Sequence, residues 1–571
     1  MTNPWHQVER KLEKSVASAL EKIGVKEKFD NTIEIPPNSE MGDLACNVAF
    51  QLAKELKKSP KEIAEQLISE LELPEEIAAA KTAGPYINFF LNREIFADKV
   101  VPEVLKKDYG KEKNGKVVIV EFPSPNTNKP LHLGHMRNLA LGESVSRILE
   151  FSGFDVKRVN LNNDRGIHIC KSMLAYEKWG KGKEPDKKTD HFVGDFYVMY
   201  NEKAKGKPEL EEEARDMLRK WEAKDKDVRA LWKKMNTWAF NGFDETYKRF
   251  GASKFDKVYM ESETYEKGRD IVMDGLANGI FQKDDTGAVL IDLEKEGLDK
   301  KVLLRADGTT VYITQDLYLA NLKYKDFNYD KSVYVVAHEQ DYHFDVLFTI
   351  LKELGYPFAD GCYHLSYGMV YLPEGKMKSR EGTVVDADDL IDEMKARAKE
   401  EIGKRNKEMS EKKIEEISDD IGVGAIKFYL LNYSAQKDFV FDPKQSISFE
   451  GETGPYVQYA AVRAKRILEK GGNFKEGNLG LLSDEKEFEL VKHLAKFPDV
   501  VKTAVEEYKP SDVANYLYAL ADKFNQFYND VRVIQAESES LKNARLTLVK
   551  ASKQVLEDCL WLLGMKVPER M

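Results

Sequence analysis

A chain of 571 residues is long enough for several domains at roughly 100–200 residues each, which excludes a small scaffold held together by metal or disulfides. Lys and Arg number 88 against 98 Asp and Glu, for a formal net charge of -10, so no overall electrostatic pull draws the chain to nucleic acid and any polyanionic partner must be gripped by local patches. With 42% hydrophobic and 33% charged residues the composition is that of a folded globular chain, not a disordered one. The first predicted element is a helix over 8–23, where apolar residues return every three or four positions. A second helical run over 44–67 follows the turn at Pro36 and Pro37 and ends at Leu73 and Pro74. A strand is predicted over 86–91 and a polar linker over 110–115.

At Lys116 the character changes. Val117, Val118, Ile119 and Val120 form a continuous apolar run suited to a strand buried on both faces of a parallel sheet. Helical periodicity over 133–149 and a strand over 156–161 complete a βαβ start. Further short strands are expected at 289–291, 302–304 and 333–336. The stretch from about 170 to 300, rich in Lys, Glu, Trp and Tyr, reads as an insertion on the edge of this fold. The run from 391 to 413 is nearly all charge and reads as an exposed helix with a solvated face. From 451 to 563 the pattern is helical almost throughout, with breaks at Gly471, Gly472 and Pro510.

Cys46, Cys170, Cys362 and Cys559 are too widely spaced for a paired metal knuckle or redox motif, which predicts a reducing compartment and no structural zinc. The start lacks a basic stretch followed by an apolar one, and no charge-free run approaches 20 residues, so the expectation is a cytoplasmic chain without a membrane span.

The densest chemical signal is the segment 121–135, directly after the first buried strand. Pro130 suits the start of a helix, and Gly134 leaves room for a flat ligand against the backbone. His132 and His135 stand one turn apart at the positive end of that helix, where backbone and imidazole N–H groups can meet a phosphate. Taken alone, the two histidines could also be metal ligands, although no third ligand accompanies them, or could only cap and pack.

His132-Leu133-Gly134-His135 resembles the HIGH signature of class I aminoacyl-tRNA synthetases, and the segment Lys376 to Arg380 resembles their KMSKS loop. Around them, 120–137, Tyr312 to Asp316, 454–459 and the ending 568–571 resemble the arginyl-tRNA synthetase family, as does 42–50 for that family's extra N-terminal domain. The resemblance covers essentially the whole chain. It implies an α/β fold with a Rossmann-like parallel-sheet core carrying an insertion, an N-terminal α+β domain and a C-terminal all-helical bundle. The implied domains are 1–110 at the tRNA elbow, 111–390 catalytic with its insertion over 170–300, 391–450 connecting, and 451–571 for anticodon binding. The implied reaction is ATP-dependent activation of L-arginine and its transfer to tRNA(Arg), by a monomer, with Mg²⁺ accompanying ATP and no organic cofactor.

The resemblance carries roles residue by residue. His132, His135, Lys129, Lys376, Lys378 and Arg380 are expected at the phosphates, with Gly134 and Met377 completing the ATP site. The loop departs from the strict signature, with Ser379 where many synthetases have the second lysine; in the family a lysine just upstream of HIGH is the proposed substitute, here Lys129. Glu121, Asn126, Tyr312, Asp316 and Gln340 are expected at arginine, and Asn163, Asp164 and Gly166 at the pocket mouth. A guanidinium calls for planar carboxylate recognition, and Tyr312 and Asp316, four apart, share a face if their segment is helical. The opposing reading makes Tyr312 a half-buried packing residue and Asp316 a surface carboxylate. Tyr456, Tyr459, Arg463 and Arg466 fall on one helical stripe suited to stacking on bases and binding phosphate; a packing stripe with snorkelling arginines is the alternative. Tyr528, Asn529 and Arg532 form a second candidate patch. Two other classes compete: a small-molecule nucleotidyltransferase, which leaves the helical C-terminal third without a role, and a catalytically idle tRNA-binding paralogue, which would not be expected to keep His132, His135 and Asp316.

Overall fold

The computed structural model describes residues 3–25, 29, 32–371, 373, 385–405 and 409–571, with residue 39 described by its backbone alone. The chain divides into two compact units. The larger comprises residues 113–458, 503–515 and 560–571. Its centre is a five-stranded sheet built from β1 (Val117–Glu121), β2 (Asp155–Asn162), β3 (Lys257–Met260), β4 (Lys331–Ala337) and β5 (Cys362–Tyr367), in the order β5-β4-β1-β2-β3. All four pairings are parallel. Ile119 of β1 and Val159 of β2 are wholly buried and share one core with Leu317, Val346, Leu347 and Ile350. That accounts for the continuous apolar run of β1, since a central parallel strand has both faces covered.

The chain runs outward from β1 to β2 and β3, then crosses back to lay β4 and β5 on the other side of β1. The strand order therefore reverses between β1 and β4, and in open parallel sheets the crevice beyond the strands' carboxyl ends at such a reversal is where ligands bind. Helix α1 (Leu133–Phe151) leaves β1 at this point. Gly142 on α1 sits where a β-carbon would lie 2.3 Å from the Phe122 ring, so the close approach of α1 to the end of β1 depends on that glycine.

The structure departs from expectation at three places in this unit. The third strand of the sheet, β3, lies inside the stretch read wholly as insertion, and the helical insertion proper is 167–250: Ile167–Ala175, Thr189–Lys203, Pro208–Glu222 and Lys226–Phe250, packed around Met173, Tyr200, Ala214 and Trp221. The strands Val289–Ile291 and Lys301–Leu304 pair antiparallel in a separate three-stranded sheet with Gln282–Lys283. Short apolar runs fit either kind of sheet, so periodicity alone does not tell them apart. The charge-rich run after Asp386 is a helix, Ala387–Arg405, but Leu390, Ile391, Met394, Ala398 and Ile402 form a buried stripe along it.

The second unit comprises residues 1–112, 459–502 and 516–559, so the N-terminal region packs with most of the C-terminal helices. Its sheet is antiparallel, in the order Ile33–Glu34, Leu44–Cys46, Tyr86–Leu91, Ile77–Ala83. The helix expected over 44–67 is instead a strand followed by two helices, Val48–Leu56 and Pro60–Glu70, the second started by a capping box from Ser59 and Glu62. Polar contacts join the two sequence regions: the buried Tyr109 donates to the Leu494 carbonyl at 2.8 Å, and the half-buried Lys492 pairs with Asp43 at 2.7 Å.

Candidate active site

His132 is the N-cap of α1, in extended backbone conformation. The Gly134 N–H donates to His132 Nδ1 and the His132 N–H donates to His135 Nδ1, both at 3.1 Å. Because each Nδ1 accepts, the proton of each neutral ring is on Nε2, and each imidazole keeps one N–H to offer. Burial, with the charge of Lys129 adding to it, pushes His132 down to about 3. Burial and the proximity of His132 and Lys129 hold His135 well below its ordinary value. Both rings are therefore neutral donors at neutral pH. A β-carbon at residue 134 would stand 3.0 Å from the His132 ring, so the glycine leaves space for the histidine's own imidazole.

The two histidines line a cavity of about 620 Å³ at the strand-order reversal, walled by Asn126, Lys129, Gly134, Gln340 and the 367–371 segment among others. Of the sequence-predicted residues, Lys129, His132, Gly134, His135, Asn126, Asn163 and Gln340 meet here. Lys376, Met377, Lys378 and Arg380 lie outside the described residues. Asp164 instead braces the sheet. Its carboxylate accepts from the Ser262 N–H at 2.8 Å and the Ser262 hydroxyl at 2.6 Å, pinning the end of β2 to the end of β3. Gly166, at φ +111°, precedes the first insertion helix.

The carboxylates lie around α2 (Tyr312–Phe327), the helix that leads into β4. Asp316 is half-buried, and its Oδ2 is 2.7 Å from His343 Nε2 at the start of α3 (Asp341–Glu353). Glu121, the last residue of β1, is buried and accepts from the fully buried Lys323 at 2.7 Å; it is not among the residues lining the cavity. Tyr312 departs from expectation. It is 79% exposed, so it is no packing residue, and it faces a different cleft of about 580 Å³ lined by Arg165, Arg269, Arg305 and Tyr265. As the first residue of α2 it has no preceding turn to bury it.

One acidic residue went unread in the sequence. Glu261 directly follows β3, at the start of the short helix Glu261–Thr264. Burial, helped by the like charges of Asp164 and Asp316 and opposed by Arg165, raises its carboxyl to about 7. Reading 170–300 as one insertion hid the strand that delivers it.

The segment after the KMSKS-like loop is fastened to the histidine motif. The Leu133 N–H donates to the Val385 carbonyl at 3.1 Å and the Ala387 N–H to the Leu131 carbonyl at 3.0 Å. Asp388 then anchors that segment to the insertion through Arg249 at 2.6 Å, Lys188 at 2.9 Å and the Thr246 hydroxyl at 2.8 Å. Asp190, His191 and Asp388 lie close enough to hold a metal ion. However, the Lys188 ammonium lies 2.8 Å from Asp190 and 2.9 Å from Asp388, and Asp386 and Asp388 raise His191 to about 10. Protein cations already supply the positive charge there.

Comparison with known proteins finds matches along most of the chain. Residues 100–443 match the family model described as tRNA synthetases class I (R), catalytic domain; 457–571 match the DALR anticodon binding domain, and 10–91 the arginyl tRNA synthetase N terminal domain. The arginine–tRNA ligase of Treponema denticola is 48% identical, with 93% of each chain covered, and that of Treponema pallidum is 45% identical, covering 99% of this chain and 98% of its own. The chain belongs to the arginyl-tRNA synthetase family. Among solved structures, Thermus thermophilus arginyl-tRNA synthetase superposes with a TM-score of 0.82 at 28% identity over 98% of this chain and 100% of that one. Arginyl-tRNA synthetase from Plasmodium falciparum, at 22% identity and a TM-score of 0.77 over 98% of this chain and 99% of that one, shares the fold.

In the part of this family member matched to the anticodon-binding domain, helix Gly454–Gly471 carries the predicted stripe. Tyr456, Tyr459, Arg463 and Arg466 are all half-buried. Arg463 donates to Asn525 and lies over two rings, 4.6 Å from the centroid of Tyr459 and 4.7 Å from that of Tyr528. Tyr459 and Arg463 of one sequence patch and Tyr528 of the other thereby form one cluster, in which Arg463 packs the two tyrosines. Arg466 makes a 3.8 Å contact with Glu469, and Tyr528 is 41% exposed.

Proposed function

We propose that this chain is an arginine–tRNA ligase that works in two steps at the cavity of His132 and His135. In the first, an arginine carboxylate oxygen attacks the α-phosphorus of ATP in line, the bond to pyrophosphate breaks, and arginyl adenylate forms. In the second, a ribose hydroxyl of the tRNA 3'-terminal adenosine attacks the adenylate's carbonyl carbon and AMP leaves. The observation that carries this reading is the pair of neutral imidazoles with Nδ1 engaged at the start of α1. Their Nε2–H groups and the helix N-terminus are fixed donors for the negative charge that develops on the α-phosphoryl oxygens, and donors fixed in advance lower the barrier.

Lys129, which lines the same cavity, is assigned to the phosphates, as are Lys376, Lys378 and Arg380 on sequence grounds; Gly134 and Met377 complete the ATP site. Mg²⁺ enters with ATP, held by phosphates and water. Asn126 and Gln340 are assigned to the arginine α-amino and carboxylate end. Asp316 and Glu261 are assigned to the guanidinium, and Glu121 to the same end of the substrate on sequence grounds. The raised Glu261 supports this: a cation placed between it and Asp316 relieves their mutual repulsion. Tyr312, exposed beside three arginines, is assigned to the tRNA end instead of the amino acid, since a ring and guanidinium groups suit stacking and phosphate. The 456–466 stripe and Tyr528 are assigned to the anticodon arm. The same reading has the chain act as a cytoplasmic monomer.

The pocket assignment is tested by Asp316→Ala. The arginine kcat/KM should fall about tenfold to a hundredfold, as for loss of a hydrogen bond to a charged group, while the KM for ATP stays within about twofold. Wild-type arginine kinetics in this variant would refute the assignment.

A further inference from the structure

The segment after β4 does two things at once. Gln340 lines the main cavity, and three residues on, at the start of α3, the His343 Nε2 is 2.7 Å from Asp316 Oδ2. Asp316 stands one turn into α2, a different element, so this side-chain contact ties the start of one helix to the start of the other. His343 and Asp316 side chains are 24% and 29% exposed. An ion pair or hydrogen bond at such exposure adds little to stability, and the α2–α3 packing is supplied by Leu317, Leu319, Ala320, Val346, Leu347 and Ile350. Holding the fold together is thus a poor account of His343.

The same arrangement recurs at the other carboxylate. Glu121 Oε2 accepts from Lys323 at 2.7 Å, and the Lys323 ammonium is fixed in turn 3.9 Å from the centroid of the Tyr334 ring. Each acidic side chain thus has one oxygen held by a basic group of the protein and the other uncommitted to that group. A carboxylate with both oxygens free rotates and accepts an ammonium in many poses. One tethered through a single oxygen presents its second in a fixed direction, which favours a planar donor that can reach two such oxygens at once.

We propose that His343 is a positioning residue for arginine recognition, holding the Asp316 carboxylate through Oδ2 so that Oδ1 is aimed at the substrate guanidinium. This rests on the assignment of Asp316 to arginine made above.

The test is steady-state aminoacylation by the full-length protein carrying His343→Ala, His343→Gln, Asp316→Ala, or Asp316→Ala with His343→Ala, each checked for folding by thermal melting. The KM for arginine should rise about tenfold in His343→Ala, with kcat and the KM for ATP within about twofold of wild type, the loss expected when a bond to a charged group no longer aims its partner. His343→Gln, which keeps an N–H donor, should recover part of the loss. In the Asp316→Ala background His343→Ala should add nothing, because its effect passes through the carboxylate. If Asp316→Ala impairs arginine use while His343→Ala is silent, or if the two losses add in full, the proposal is overturned and the pocket assignment stands. If Asp316→Ala itself has no effect, both fall.

Discussion

His132 and His135 work as neutral donors because of where they sit: their own backbone neighbourhood engages each Nδ1, and burial suppresses their charged forms. This has a cost in acid. A histidine near 6.5 when unfolded but far lower when folded takes up a proton only on unfolding, so its contribution to stability is whole above about pH 6.5 and is lost progressively as pH falls toward the folded value, here about 3 for His132. The slope is at most about 1.4 kcal/mol per pH unit for each such histidine. Replacing His132 with Asn should therefore make chemical-denaturation stability less steep between pH 6 and pH 4 than in wild type, and an unchanged slope would contradict a neutral buried His132. This arrangement was legible in the sequence because its signal is local: a helix start and two histidines one turn apart. The set of acidic residues assigned to arginine was not. Asp316 could be named from its own segment, but Glu261 is delivered by the end of a four-residue edge strand too short to show a period, and nothing nearby marks it.

At the scale of elements, the site depends on close approaches the sequence only hints at. Strand β1 and helix α1 were readable from an unbroken apolar run followed by helical periodicity, whereas β3 and the antiparallel pairing of the 282–304 strands were not, because strands of two to four residues carry no period to detect. The glycine of α1 at 142 has no local signature either, yet a β-carbon there meets Phe122 at 2.3 Å. Gly142→Ala should destabilise the protein by about 1–3 kcal/mol, the usual cost of overpacking, seen as a lower denaturation midpoint; unchanged stability would mean that α1 is free to shift. Asp388 plays the matching part on the far side of the histidine motif, where its burial against Arg249, Lys188 and Thr246 fixes the segment that pairs with Leu131 and Leu133. Asp388→Ala removes the carboxylate those cations share, and the expected loss in denaturant-unfolding stability is about 3–5 kcal/mol.

For the whole molecule, a net charge of -10 and a polyanionic partner are compatible only if binding is local. The sequence placed the stripe on one helix, now seen as Gly454–Gly471, but it could not show that Arg463 is engaged in holding Tyr459 and Tyr528, because Tyr528 comes from another helix. The consequence is a division of labour between the two arginines. Arg466→Ala should weaken tRNA binding modestly and flatten its salt dependence by about one ion, whereas Arg463→Ala should weaken it by disordering the tyrosines, with the salt slope nearly unchanged. Titrations of tRNA at several salt concentrations separate the two, and equal changes in slope would refute the division. The most direct measurement on the intact molecule is charging of unfractionated tRNA by the purified full-length protein with ATP and Mg²⁺, comparing arginine with lysine. Tethered carboxylate oxygens suit a planar guanidinium and not a point charge, so arginine should be attached at least about a hundredfold more efficiently; equal attachment of lysine and arginine would contradict the pocket described here.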